Sequence, residues 1–490
     1  MKRSFPLRRW AVSELVERRG ERWAEQVRAL LNEGLRLVSA FARSDGPDVI
    51  ATALLQSGEG ELELVRGRLD RAHGYHSLTP AHPAMHCFER EMHEQTGLRI
   101  GAHPWLKPLR YEGVSASSAM GAHPFYKIQG KEVHEVQVGP VHAGVIEPGA
   151  FRFMCLGERV HHLEIQLGYQ HRGVEGMLLK GDARSKAQLV ETIAGDSSIA
   201  HGLAYASAVE ALSGLDADAA LERNRAIGLE LERVAMHLAG LSGLAGDVGF
   251  LQGATTWGRL RTTAINTSMR LCGSRFGRGW IRPGESRASA DGALLELVRS
   301  NLALLARDTA EVNELFLSSA TVRHRFQGAG ALTHAQALDI GMVGLPARAC
   351  GVALDQRSHA LGVYGEHPME RTTETSGDCL ARALVRIREI DRSLSWLASI
   401  LEGATTLEAV RLPVGELAPG QLVASLCEGW RGEVMHCLET GADGRLVHYK
   451  VQDPSLRNWF GLALAVREND ISDFPICNKS FDLSYCGHDL

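Results

Sequence analysis

No stretch of this 490-residue chain reaches about 18 uninterrupted apolar residues, so no segment reads as a transmembrane helix. An assembly at a membrane would have to hold the chain through partners. The start is basic, Lys2-Arg3 and Arg8-Arg9, but Ser13-Glu14 interrupts Ala11-Val12 at once, which excludes a secretory or twin-arginine signal. There is no excess of positive charge: the net charge is −5, and nothing argues for nucleic acid. There is no C-x-x-C pair among the nine cysteines, and nine is odd, as in a cytosolic protein with reduced thiols. The lack of a local cluster of ligands argues against a four-cysteine iron–sulfur cluster, and most of these thiols read as small core residues. No internal repeat is present. No G-x-S-x-G elbow surrounds Ser197 and Ser198, which argues against a hydrolase.

What is present suggests an α+β protein of two units. Residues 1–112 read as a small α/β domain. Glu14 to Leu37 has helical periodicity, Val49 to Leu55 has strand character, and Glu61 to Val65 alternates strictly. Residues 113–131 are rich in Gly, Ser and Ala and read as a linker. Residues 132–490 open with strand-like stretches at His134–Val138 and Phe151–Met154. They then turn mainly helical, with Glu222–Leu241, Asp291–Leu315 and Ala381–Leu401 carrying apolar residues three and four apart. Such helices bury a stripe against neighbours, which predicts a bundle. Val434 to Val451 reads as a late strand pair turning at Gly441–Gly444.

Several ordered motifs carry a family resemblance. Phe88 to Leu106, with its charged helix, Gly97 as a stop and His103-Pro104, resembles the signature of the 30-kDa-type subunit of respiratory complex I. Residues 133–490 resemble the family shared by nickel-iron hydrogenase large subunits and the 49-kDa-type subunit of complex I. The motifs are Gly139-Pro140-Val141-His142 with Ile146-Glu147-Pro148-Gly149, Gly168 to Glu175, Glu230 to Arg233, Gly273 to Phe276, Gly377 to Arg382 and Arg431-Gly432-Glu433. Fused in this order, the two halves look most like the large subunit of formate hydrogenlyase and other energy-converting hydrogenases.

The resemblance places four nickel-binding cysteines at Ala194, Ser197, Ser484 and Gly487, and none is a cysteine here. Thiolates are soft, strong ligands; a neutral serine hydroxyl is a poor one, and alanine and glycine offer no side-chain donor. We therefore expect no nickel–iron centre and no cofactor bound by this chain, with an iron–sulfur cluster in a partner. Cys486 neighbours a ligand position, but on an extended segment it would point away from it. The quinone head-group partners of complex I are also missing: Ile146 and Gly195 stand where a histidine and a tyrosine are expected. Quinone and NAD chemistry enter through the resemblance alone.

As the resemblance implies, Glu147 matches a proton-relaying glutamate, and Arg431 an arginine that overhangs the cavity. His142 is the motif histidine, and His171 and Arg172 match contacts to the iron–sulfur small subunit. Glu175 matches a glutamate that binds magnesium or forms a core ion pair, the ion pair being favoured, and His237 reads as a core histidine. The expected protein is the large subunit of a membrane-associated oxidoreductase related to NADH-quinone oxidoreductase, with electrons passing through an iron–sulfur subunit and coupled to ion movement. It would sit peripherally on the cytoplasmic side of the inner membrane, against membrane-embedded subunits. The alternatives are a non-catalytic scaffold and a hydrogenase with atypical ligands.

Overall fold

The computed structural model describes residues 3–130, 132–144, 146–359 and 361–490. Lys2 of the basic start, Lys131 at the linker's end and Val145 of the loop motif lie outside them. The architecture is α+β.

Near the N-terminus, β1 (Leu7–Ala11), β2 (Glu17–Arg19), α1 (Glu21–Asn32), β3 (Arg36–Asp45), β4 (Asp48–Gln56) and β5 (Leu62–Asp70) precede α2 (His86–Thr96). The sequence predicts one helix from Glu14 to Leu37. Instead Gly20, at φ +52°, separates a short strand from the helix, because that backbone is strained for residues with a Cβ. Strands β2 to β5 form one sheet in the order β2-β5-β4-β3, with β2 parallel to β5. Trp23 and Val27 of α1 and Phe88 and Met92 of α2 belong to its core, and Trp23 Nε1 donates to the Val65 carbonyl at 3.1 Å. Gly97, in the left-handed region, ends α2 as its sequence suggests.

The larger unit opens with a meander, β6 (Val133–Val138), β7 (Ala150–Leu156) and β8 (Arg159–Gln166). Its main helices are α3 (Ser198–Ser213), α4 (Ala219–Asp247), α5 (Leu251–Cys272), α6 (Gly292–Ser318) and α7 (Cys379–Ile400). Asp218, Asp291 and Asp378 cap α4, α6 and α7 by accepting from the backbone N–H three residues on, at 2.7–2.8 Å. A second sheet follows, β9 (Gln421–Glu428), β10 (Glu433–Thr440) and β11 (Leu446–Gln452), then α8 (Ser455–Ala465) and α9 (Tyr485–Asp489). Its fourth strand is β1, antiparallel to β9, so the first residues of the chain join the sheet of the larger unit.

The sheet of β2 to β5 stacks on the sheet of β1 and β9 to β11. Val38, Phe41, Leu54 and Leu62 meet Leu422, Leu426, Met435 and Cys437 in one apolar layer. Charged groups cross the same seam. Arg66 holds Glu439 with bonds of 2.9 and 3.1 Å, and Arg36 reaches Glu433 at 2.5 Å. Glu91 of α2 pairs with Arg110 and, at 2.5 Å, with Lys450. Among the described residues no helix is long and apolar enough to cross a membrane.

Candidate functional site

The two distant segments that carry the four ligand positions are tied together by Arg172, which donates to the carbonyls of Ile193 and Cys486, and by Arg431, which reaches Ser197 Oγ and the Asp482 carbonyl. Ser197 ends the loop before α3 and Ser484 begins α9. Ser484 Oγ accepts from the Gly487 N–H at 2.9 Å, which caps α9. Tyr485–Asp489 is therefore a helical turn and not the extended segment that the sequence suggests. In that turn Cys486 does not point away: its Sγ lies 3.3 Å from Ser484 Oγ. Burial pushes the Cys486 thiol up to about 11, and the nearby Glu147 carboxylate adds to this.

At Gly487 an added Cβ would lie 2.6 Å from Cγ of Asp453 and 2.8–2.9 Å from its carboxylate oxygens. The space of a side chain at 487 is thus filled by the carboxylate of Asp453, which follows β11 and is 1% exposed. Ala194 has no donor, Ser484 is engaged as a cap, and position 487 has no room for a cysteine. These residues do not fit a nickel–iron pair.

Arg431 ties the loop before α3 to the C-terminal segment. Its Nη1 and Nη2 donate to the two oxygens of Asp196 at 2.6 and 2.7 Å, and its Nε to the Asp482 carbonyl at 2.5 Å. Its guanidinium lies 3.9 Å from the Trp430 ring centroid, and Trp430 Nε1 donates to the Asp196 carbonyl at 2.8 Å. Such a bidentate, stacked arginine is rigid, and only the outer part of Asp196, 38% exposed, meets the open side.

Glu147 is half-buried on the loop between β6 and β7, near enough to raise Tyr485 and Cys486 electrostatically. His142 on the same loop contacts the Gly149 carbonyl through Nε2 at 2.8 Å and so braces the loop. It also lines a cavity of about 440 Å³ with Ile146, Phe151, Phe474, Lys479 and Tyr485. His171 and Arg172 hold the C-terminal turn. His171 Nδ1 lies 2.8 Å from the Asp489 carbonyl, and Arg172 donates to the carbonyls of Thr192 at 2.7 Å and Cys486 at 3.2 Å. Arg172 is exposed.

The structure thus gathers Glu147, Arg431, Ser197, Ser484 and Gly487 about the C-terminal turn, Arg431 reaching Ser197 Oγ at 3.4 Å, while the cavity that His142 lines is bounded by none of these five. His171 and Arg172 lie behind the C-terminal turn. Glu175 pairs with Lys450 at 3.0 Å, and His237 faces Glu389 at 2.8 Å in the core. His201 turns away from Ser197 and Ser198 towards Asp453, so no serine–histidine pair forms. Sequence reasoning missed Asp453. It lies 34 positions before Gly487, and no spacing rule links the two.

Residues 247–412 match the family model of the 49-kDa subunit of respiratory-chain NADH dehydrogenase. The chain is 28% identical over 440 residues to formate hydrogenlyase subunit 5 of Escherichia coli (strain K12), covering 84% of this chain and 76% of the relative. It is 27% identical over 369 residues to the membrane-bound hydrogenase subunit alpha of Pyrococcus furiosus, covering 71% and 85%. It is 27% identical over 320 residues to the C/D protein of the NADH-quinone oxidoreductase of Bacteroides thetaiotaomicron, covering 65% and 60%. It shares its fold, at a TM-score of 0.68 and 22% identity, with a chain of the membrane-bound sulfane sulfur reductase, an archaeal respiratory membrane complex. That match covers 74% of this chain and all of the other. The likeness read from the motifs holds: the chain is similar both to fused C/D subunits of NADH-quinone oxidoreductase and to the large subunits of membrane-bound hydrogenases. Its relatives are subunits of membrane-bound, respiratory-type complexes.

Proposed function

We propose that this chain, as a relative of those large subunits, is the large subunit of a multisubunit oxidoreductase held peripherally at the cytoplasmic side of a membrane. It receives or passes electrons through an iron–sulfur partner, couples this to ion movement and works without a nickel–iron centre. The replacement of all four ligand cysteines, with Asp453 seated at Gly487, is the observation that carries the nickel-free reading. Glu147 is the proton-transferring group and Arg431 stabilises negative charge developing at the site. His142 braces the loop that presents Glu147. Arg172, exposed beside His171, presents a positive charge to the iron–sulfur partner.

Elemental analysis of the native complex tests the metal statement; stoichiometric nickel with hydrogen uptake overturns it. Protein-film voltammetry tests the rest, with the electrode in place of the donor and protons, a short-chain quinone or NAD⁺ offered as acceptor. Glu147→Gln and Arg431→Lys are expected to assemble and to cut the catalytic current by about 10²–10⁴-fold. Unchanged current in both assembled variants makes the chain a scaffold.

A further inference from the structure

A line of buried polar groups runs inward from Gly487. Asp453 Oδ2 lies 3.1 Å from His201 Nε2, His201 Nδ1 lies 3.1 Å from His436 Nε2, and His436 Nδ1 lies 2.9 Å from the Tyr449 hydroxyl. The groups come from α3, β10, β11 and the turn after β11, and each is at most 1% exposed. Charges face this line only at its ends. Arg431 stands near Asp453, whose other oxygen accepts from the Ser455 N–H at 2.8 Å. Tyr449 has Tyr205, Glu175 and Cys437 around it.

Hydrogen accounting gives the line a direction. An ionised carboxylate only accepts, so His201 offers Nε2–H to Asp453. With both imidazoles neutral, Nδ1 of His201 accepts Nε2–H of His436, whose Nδ1 accepts the Tyr449 O–H. Burial opposes ionisation of Asp453, but the His201 bond and the Arg431 charge outweigh it and hold this carboxyl below its usual range. Burial also holds the His436 imidazole well below its usual value, hence neutral. Every donor points to Asp453, and every acceptor has one proton to take.

We propose that Tyr449, His436, His201 and Asp453 form a proton relay that ends beside Gly487 in the C-terminal turn. A proton reaching the Tyr449 oxygen releases the phenolic proton to His436 Nδ1. His436 passes its Nε2 proton to His201 Nδ1, and His201 passes its own to the Asp453 carboxylate. Each hop breaks one O–H or N–H bond and forms one, so one proton enters and one arrives. The relay serves the redox site and in that respect rests on the function proposed above.

Asp453→Asn keeps the shape at Gly487 and removes the proton acceptor; Tyr449→Phe removes the entry. In the assembled complex each is expected to cut the catalytic current by about 10²-fold and to move its pH profile. Solid-state NMR of the complex with ¹⁵N-histidine in this chain, assigned through His201→Gln and His436→Gln, is expected to show both rings neutral and protonated at Nε2. Full current with an unchanged pH profile in both variants, or either ring resting with its proton on Nδ1 alone, overturns the relay. If no acceptor supports any current in the wild type, the redox reading fails, while the ring tautomers still decide whether the relay exists.

Discussion

The seam between the two sheets and the site at Ser484–Gly487 both hold charge away from water, yet they are built differently. At the seam each acid meets cations from the other unit: Glu91 with Lys450, Glu439 with Arg66 and Arg43, Glu433 with Arg36. The site has one ion pair, Arg431 with Asp196, and the Asp453 carboxylate at the end of donors and acceptors in series. Closed ion pairs fix geometry. Groups with a proton to give and a lone pair to receive it can change state. The seam therefore reads as construction and the site as chemistry.

The comparison can be broken first at Glu91. Glu91→Gln leaves Lys450 and Arg110 buried beside a neutral amide, and breaking a buried pair costs about 3–5 kcal/mol. Thermal unfolding should show a large drop in Tm with the site residues untouched; an unchanged Tm would remove the structural role of the seam. A smaller effect is expected at the site. Gly487→Ala meets the Asp453 carboxylate and should cost about 1–3 kcal/mol, the range for overpacking. The same change in an Asp453→Ala background should cost much less. Equal costs in both backgrounds would mean that Asp453 does not fill that space.

Acid gives the finest distinction. Burial opposes ionisation of Glu91, but Lys450 and Arg110 outweigh it and hold its carboxyl below the usual glutamate range; Arg66 and Arg43 do the same for Glu439. A carboxyl depressed on folding contributes stability that is present above its unfolded pKa and is lost as pH falls through the folded one. Stability should therefore decline below about pH 4.5, and Glu91→Gln should flatten that decline. An identical acid profile in wild type and variant would show that Glu91 is not depressed.

Much of the fold was legible because it is local. Gly97 stops α2, Gly441–Gly444 turn a hairpin, and the long helices follow their apolar spacing. Non-local pairing was not legible: nothing in Leu7–Ala11 announces Gln421–Glu428 as its partner. At the site, the missing cysteines could be read directly. What replaced them could not, because a glycine in a sequence looks like a loss, while here a carboxylate from another segment fills its place. Cys486 was misjudged since the serine that stands for a ligand also starts a helical turn.

The strand Leu7–Ala11 carries a consequence for biogenesis. It lies on the outer side of Gln421–Glu428, more than 400 positions further along the chain. On the ribosome it must wait until nearly the whole chain has emerged, and contacts of such high sequence separation form late. Removing it would expose the backbone of β9 as an open edge, a template for intermolecular pairing. A fusion that holds the first eleven residues away from β9 would therefore yield aggregate, even with every site residue intact.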